Sequence, residues 1–185
     1  MWDGAVNHLD VQALAPITHP AEMGEALPNL LVKLQRSSSY PQLFQTVFDD
    51  SIITGQHLLK ALAQFQLTLV SSHSKYDKFK AGEVEFTEQE MRGYELFKGN
   101  CASCHKEPLF TNGEFANSGL PMDTTLNDLG RMKITNLASD SLLFKVPTLR
   151  NIEFSYPYMH DGRFKTIREV LNHYDSGIVH SNTLA

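Results

Sequence analysis

The 185-residue sequence has two cysteines and one tryptophan, and it lacks basic blocks, long apolar runs and internal repeats. Two cysteines cannot supply the disulfide framework of a small secreted scaffold, nor a four-thiolate zinc site. A net charge of −5 with no Lys/Arg cluster argues against nucleic acid as a partner. The most apolar stretch, around Ala61 to Val70, is broken by Gln64, Gln66 and Thr68, so no membrane span is expected. Met1 is followed at once by Trp2 and Asp3, which is not a secretory leader. No convincing run of strands is present either. What remains, 42% hydrophobic and 20% charged, is the composition of an ordinary globular chain long enough to bury a core.

The regular segments read as helices. Leu58, Leu59, Leu62, Phe65 and Leu69 form a broad apolar stripe at helical spacing, with Thr54 placed to cap its start. Thr87-Glu88-Gln89-Glu90 is a capping box that opens a helix through Met91, Tyr94, Leu96 and Phe97 to Gly99. A second box, Thr166-Ile167-Arg168-Glu169, opens a helix through Val170, Leu171 and Tyr174. Residues 106–165 between them are rich in Gly, Pro, Asn and Asp without sustained periodicity, as expected of a long functional loop that wraps a cofactor. The fold class is therefore mainly α. A boundary is expected in the polar stretch between Ser71 and Gly82, dividing the chain into 1–75 and 76–185.

One motif carries chemistry. Cys101-Ala102-Ser103-Cys104-His105 is Cys-x-x-Cys-His, the attachment signature of c-type haem. Two thiols three residues apart on one turn reach both porphyrin vinyl groups, and the following histidine turns its imidazole to the iron. Zinc would need ligands that the chain does not offer in a second cluster, and a thioredoxin-type pair would need a β-α-β setting. The sixth iron position stays open on composition. Thioether sulfur there gives a high potential, tyrosine oxygen favours oxidised iron, and an empty site allows peroxide chemistry. Met159 and Tyr174 both lie in the right region.

The residues around this motif resemble a known family. They are Trp2-Asp3-Gly4, Gln12 through Pro16, His19 through Gly24, the helix through Phe65, Pro108-Leu109-Phe110, Asp128 through Arg131, Phe144 through Ile152, and Tyr156 through Gly162. In order and spacing they resemble the bacterial dihaem cytochrome c peroxidases, a family that includes the enzyme maturing tryptophan tryptophylquinone. The likeness covers almost the whole chain. It implies that residues 1–75 are the remainder of an N-terminal peroxidatic domain, a partial second helical domain without its haem motif. Residues 76–185 would form a C-terminal, cytochrome c-like electron-transfer haem domain.

By the same resemblance, Glu22 and Gln12, with Pro16, match positions lining the peroxide pocket, and Trp2 matches the indole between the two haems. Ser155 and Pro157 match backbone-carbonyl ligands of calcium, and Tyr174 matches the distal axial position of the second haem, with Met159 as the alternative. The implied setting is the periplasm. The implied partners are hydrogen peroxide and a small electron donor such as a cytochrome c or cupredoxin, and a homodimer stays open. The chain departs from the family pattern in holding a single Cys-x-x-Cys-His and in looking truncated at both ends. By itself it is expected to turn over peroxide poorly.

Each residue also has a plainer reading. Glu22 could be a helix-start carboxylate after Pro20, Gln12 a surface amide, and Trp2 a flexible terminus. Met159 could fill a packing gap, and Tyr174 could be a core residue with a bonded hydroxyl. His8, His19, His57, His73, His173 and His180 show no partner pattern and read as mostly exposed, while His160 sits inside the densest motif without an assigned role. The leading function is the electron-transfer haem portion of a peroxidase reducing hydrogen peroxide to water. The runner-up is a related enzyme oxidising a protein or organic substrate through high-valent haem, a reading that Tyr174 keeps open. A plain monohaem carrier is the third, and Gln12 with Glu22 argues against it.

Overall fold

Four side chains of the right chemistry begin four of the helices. In the computed structural model, which describes residues 1–184, Thr54 accepts a hydrogen bond from the His57 amide at 3.1 Å and opens the helix Gly55–Thr68. Reciprocal capping boxes at Thr87–Glu90 and Thr166–Glu169 open Glu88–Asn100 and Ile167–Ser176, as their spacing predicts. A further box, Ser74–Asp77, opens Lys75–Lys80 inside the stretch read as a polar boundary. Aspartate replaces the usual Glu or Gln at its third position, which hides it from the standard pattern. The fold is mainly α. In chain order the helices are α1 (Leu9–Gln12), α2 (Leu14–Thr18), α3 (Leu27–Gln35), α4 (Tyr40–Phe48), α5 (Gly55–Thr68), α6 (Lys75–Lys80), α7 (Glu88–Asn100), α8 (Met132–Thr135) and α9 (Ile167–Ser176). Two two-residue strands, β1 (Phe115–Ala116) and β2 (Phe144–Lys145), pair antiparallel with Phe115 opposite Lys145.

The chain divides into two units, Val6–Val70 and Ser71–Ala185 together with Met1–Ala5. The sequence reading keeps all of 1–75 together. The first five residues join the later unit because the Lys145 amide donates to the Trp2 carbonyl at 2.7 Å.

In the first unit α1 and α3 pack on α5 around Ile17, Phe44, Ile53, Leu58 and Ala63. The Gln35 amide ties the α4–α5 loop at both ends. It accepts from the Ile53 amide at 2.8 Å and donates to the Ser51 carbonyl at 2.9 Å. The apolar stripe of α5 is only partly covered. Leu58 is buried, but Phe65 and Leu69 are exposed, the latter lying beyond the helix end.

In the second unit, Tyr76, Phe79, Phe86, Tyr94, Phe97 and Phe110 form an aromatic cluster, with Phe79 and Phe86 stacked at 4.0 Å. The long aperiodic stretch is ordered chiefly by polar bonds around a thin core of Leu120, Phe144 and Val146. Buried Asn117 donates to the hydroxyls of Ser181 and Thr183 and accepts from the Gly119 amide. The Arg131 guanidinium lies 3.9 Å from the centre of the Phe115 ring. At Gly130 the backbone has φ +60°, and a Cβ there would collide with the Leu143 carbonyl.

Two outcomes are expected. Gly130→Ala should destabilise the protein by about 1–3 kcal/mol, read from the urea midpoint, because both strain and collision oppose it. Acid should also loosen the second unit. The Lys75 ammonium, then the Thr87 amide and hydroxyl, hold the Glu90 carboxyl down to about 2 from its ordinary 4.5. A depressed carboxyl contributes stability above its unfolded value and loses it as pH falls through the folded one. Melting temperature should therefore fall between pH 4.5 and 2, and Glu90→Gln should flatten that fall.

Candidate haem-binding site

The Cys-x-x-Cys-His residues follow directly from the end of α7. The Cys101 amide bonds to the Phe97 carbonyl at 2.8 Å, and the His105 amide bonds to the Cys101 carbonyl at 2.9 Å. Both thiols and the imidazole therefore lie along one turn. The two cysteines are free and half-buried, and burial, then the neighbouring Cys104 thiol, pushes the Cys101 thiol up from its ordinary range. Among the described residues no three His, Cys, Asp or Glu side chains converge on a metal-sized point.

The imidazole of His105 is held from behind. Its Nδ1 lies 3.1 Å from the Phe110 carbonyl and 3.2 Å from the Pro147 carbonyl. Carbonyls only accept, so Nδ1 carries the proton and Nε2 presents its lone pair, the state a metal ligand needs. The segment 146–150 provides this support by running along the turn after the motif. Thr111 Oγ1 donates to the Val146 carbonyl at 2.6 Å, the Val146 amide to the Glu114 carbonyl at 2.9 Å, and Thr148 Oγ1 to the Leu109 carbonyl at 2.5 Å. Two thiols and one oriented imidazole on a single turn fit a covalently held haem, with two thioether bonds and one axial nitrogen.

Tyr174 lies on α9 and is 45% exposed as a whole. Burial around its hydroxyl end, and then the thiols of Cys104 and Cys101, push its phenol pKa up. Met159 is half-buried with a left-handed backbone (φ +68°), in a loop closed by the Tyr158 amide donating to the Phe164 carbonyl at 2.7 Å. Ser155 and Pro157 are exposed, and neither carbonyl takes a backbone hydrogen bond among the described residues.

Gln12 ends α1 and is half-buried. Glu22 lies in the exposed turn after α2, its amide donating to the His19 carbonyl at 3.0 Å. The helix-start reading of Glu22 does not hold, because α2 ends at Thr18 and α3 begins only at Leu27. Trp2 is exposed and belongs to the other unit.

One histidine differs from its sequence reading, and another gains surroundings that the sequence left open. His173 is not exposed. It is buried, and its Nε2 donates to the Ser118 carbonyl at 2.8 Å. It follows the spacing of the α9 face that carries Val170, a signal that periodicity could have supplied. His160 stacks on Phe144 at 3.7 Å, and its burial pushes the imidazole pKa down.

Residues 1–85 match the family model described as di-haem cytochrome c peroxidase. Over its full length the chain is 38% identical to the methylamine utilization protein MauG of Methylophilus methylotrophus, of which it covers 56%. It is 37% identical to cytochrome c551 peroxidase of Nitrosomonas europaea, over 92% of this chain and 52% of that protein. The chain belongs to the dihaem cytochrome c peroxidase family. It spans about half the length of these curated relatives. Among solved structures, a MauG-like protein associated with microbial copper homeostasis superposes with a TM-score of 0.81 at 27% identity, covering all of this chain and 63% of that one. The diheme peroxidase BthA of Burkholderia thailandensis shares the fold, with a TM-score of 0.79 at 22% identity, over 99% of this chain and 54% of its own. Membership in the peroxidase family implies haem c as the cofactor class.

Replacing His173 by Phe should leave the Ser118 carbonyl without its donor. A loss of about 1–3 kcal/mol in urea denaturation is expected.

Proposed function

We propose that this chain carries one haem c, bound through thioethers to Cys101 and Cys104 and through His105 Nε2, and that it is the electron-transfer part of a periplasmic enzyme reducing hydrogen peroxide to water. The observation that carries the reading is the double acceptor behind His105 Nδ1, which leaves Nε2 bare beside two free thiols. The haem supplies a one-electron relay between a small donor, such as a cytochrome c or cupredoxin, and the peroxide site. Tyr174 would supply a further iron ligand through its phenol oxygen, whose pKa burial raises. In the complete enzyme, Glu22 takes a proton from one peroxide oxygen and returns it to the other, while the Gln12 amide orients the substrate. Trp2 serves as the relay between centres, and the carbonyls of Ser155 and Pro157 contribute to a calcium site.

A second reading, oxidation of a protein or organic substrate, is favoured by a tyrosine rather than a methionine at position 174 and by the likeness to MauG. The two readings share the same haem and differ in what accepts the oxidising equivalents.

Expressed with periplasmic maturation machinery, the protein should gain the mass of one haem and give a c-type pyridine haemochrome spectrum. The Cys101→Ala, Cys104→Ala double variant should lose the adduct completely, and a matured parent without any adduct would refute the reading. The axial assignment is tested separately. Tyr174→Phe should alter the ferric spectrum and raise the potential, since an anionic oxygen stabilises ferric iron, whereas Met159→Leu should leave both unchanged.

A further inference from the structure

Arg150 is a half-buried cation outside the haem motif, and all five of its N–H donors are engaged. Nη1 donates to Asp77 Oδ2 at 3.0 Å and to the Ser71 carbonyl at 2.7 Å. Nη2 donates to Asp77 Oδ1 at 2.8 Å and to the Pro108 carbonyl at 2.7 Å, and Nε donates to the same Pro108 carbonyl at 3.0 Å. The guanidinium carbon lies 5.5 Å from the centre of the Phe110 ring. Asp77 is itself pinned, since its carboxylate is the third member of the α6 capping box. The arginine therefore joins three separate pieces of chain: the start of α6, the turn at 108–110, and its own strap.

That turn is the one that orients His105. Phe110 supplies one of the two carbonyls that accept from Nδ1, and Pro147, three residues before Arg150, supplies the other. The Arg150 amide donates to Thr148 Oγ1 at 3.1 Å, and that hydroxyl donates to the Leu109 carbonyl. Both carbonyls behind the imidazole thus belong to segments that the guanidinium and its neighbours hold in register. No other charged side chain among the described residues bonds to the 108–110 turn. Lysine could not replace it, because one ammonium cannot span a carboxylate fork and two carbonyls at once.

We infer that Arg150, clamped to Asp77, is a positioning residue for the proximal histidine: it holds the Phe110 and Pro147 carbonyls on His105 Nδ1 and thereby fixes the tautomer, orientation and donor strength of the iron ligand. The inference rests on the haem reading above only for its consequence at the iron. The hydrogen-bond arrangement itself is a property of the polypeptide. A carbonyl acceptor on Nδ1 makes Nε2 a stronger donor and favours ferric iron. Loosening the clamp should weaken that donor and shift the potential positive.

The test compares the parent with Arg150→Lys and Asp77→Asn, which keep most of the local volume, and with Thr87→Ala, which uncaps α7 at the end away from Cys101. In full-length apoprotein, imidazole nitrogen NMR should show His105 protonated at Nδ1 in the parent. Arg150→Lys should raise solvent exchange of that proton about tenfold, the factor one lost hydrogen bond of typical net strength carries. Asp77→Asn should move it in the same direction by less. In the haem-loaded protein, the same two variants should shift the reduction potential positive. Thr87→Ala should lower the melting temperature and leave both readouts at parent values. If Arg150→Lys and Asp77→Asn only lower the melting temperature, with the Nδ1 proton and the potential unmoved, the positioning role is wrong. Should Arg150→Lys not fold, Asp77→Asn decides the same question. A parent that never acquires haem would refute the haem reading, while the apoprotein comparison still decides this one.

Discussion

The hydrogen bond from His105 Nδ1 to two backbone carbonyls is the constraint to which the rest of the second unit is arranged. A histidine at the end of a loose turn would sample several orientations and both tautomers. Here the Phe110 and Pro147 carbonyls permit one of each. Those carbonyls come from segments 42 and 5 residues away, so the strap at 146–150 must be held against the turn at 108–111. Hydroxyl-to-carbonyl bonds from Thr111 and Thr148 do part of that work, and Arg150 does the rest. This is a polar solution to an ordering problem that larger domains solve by burial. It suits a region where, among the described residues, only Leu120, Phe144 and Val146 form a buried apolar core.

The helices that deliver the site depend on local chemistry in a similar way. α7 starts on a capping box and ends at Asn100, with Cys101 as the residue that caps its far end. α9 starts on a second box and carries His173 and Tyr174 on adjacent positions. His173 turns inward to Ser118, which places its neighbour Tyr174 on a different face of α9. The carboxylates of Glu90, Asp77 and Glu169 are all held below their ordinary range by these caps and their cationic partners. The architecture therefore carries a built-in acid sensitivity that a purely apolar core would lack.

Much of this was legible before any coordinates. Thr54, Thr87 and Thr166 announce their helices because a side-chain oxygen three residues ahead of an amide is a local arrangement that needs no tertiary context. The haem motif is equally local, since its three functional groups share one turn. The Ser74–Asp77 box escaped because aspartate is not the usual partner at that position. Phe65 and Leu69 belong to the apolar stripe and are exposed, because periodicity marks an apolar face without saying what covers it.

The sequence by itself determined the mainly helical class, the helix starts and the haem-attachment motif, which depend on neighbours within a few residues, and the family, which depends on the order and spacing of its motifs. Tertiary structure alone decided that His105 would offer Nε2, that His173 would be buried on Ser118, that Met1–Ala5 would join the later unit through Trp2 and Lys145, and that Arg150 would reach Asp77. Each of these pairs groups from 42 to 143 residues apart in at least one contact. Hydrogen bonds between such distant groups form only once the chain has folded back on itself, so no local pattern of residues records them.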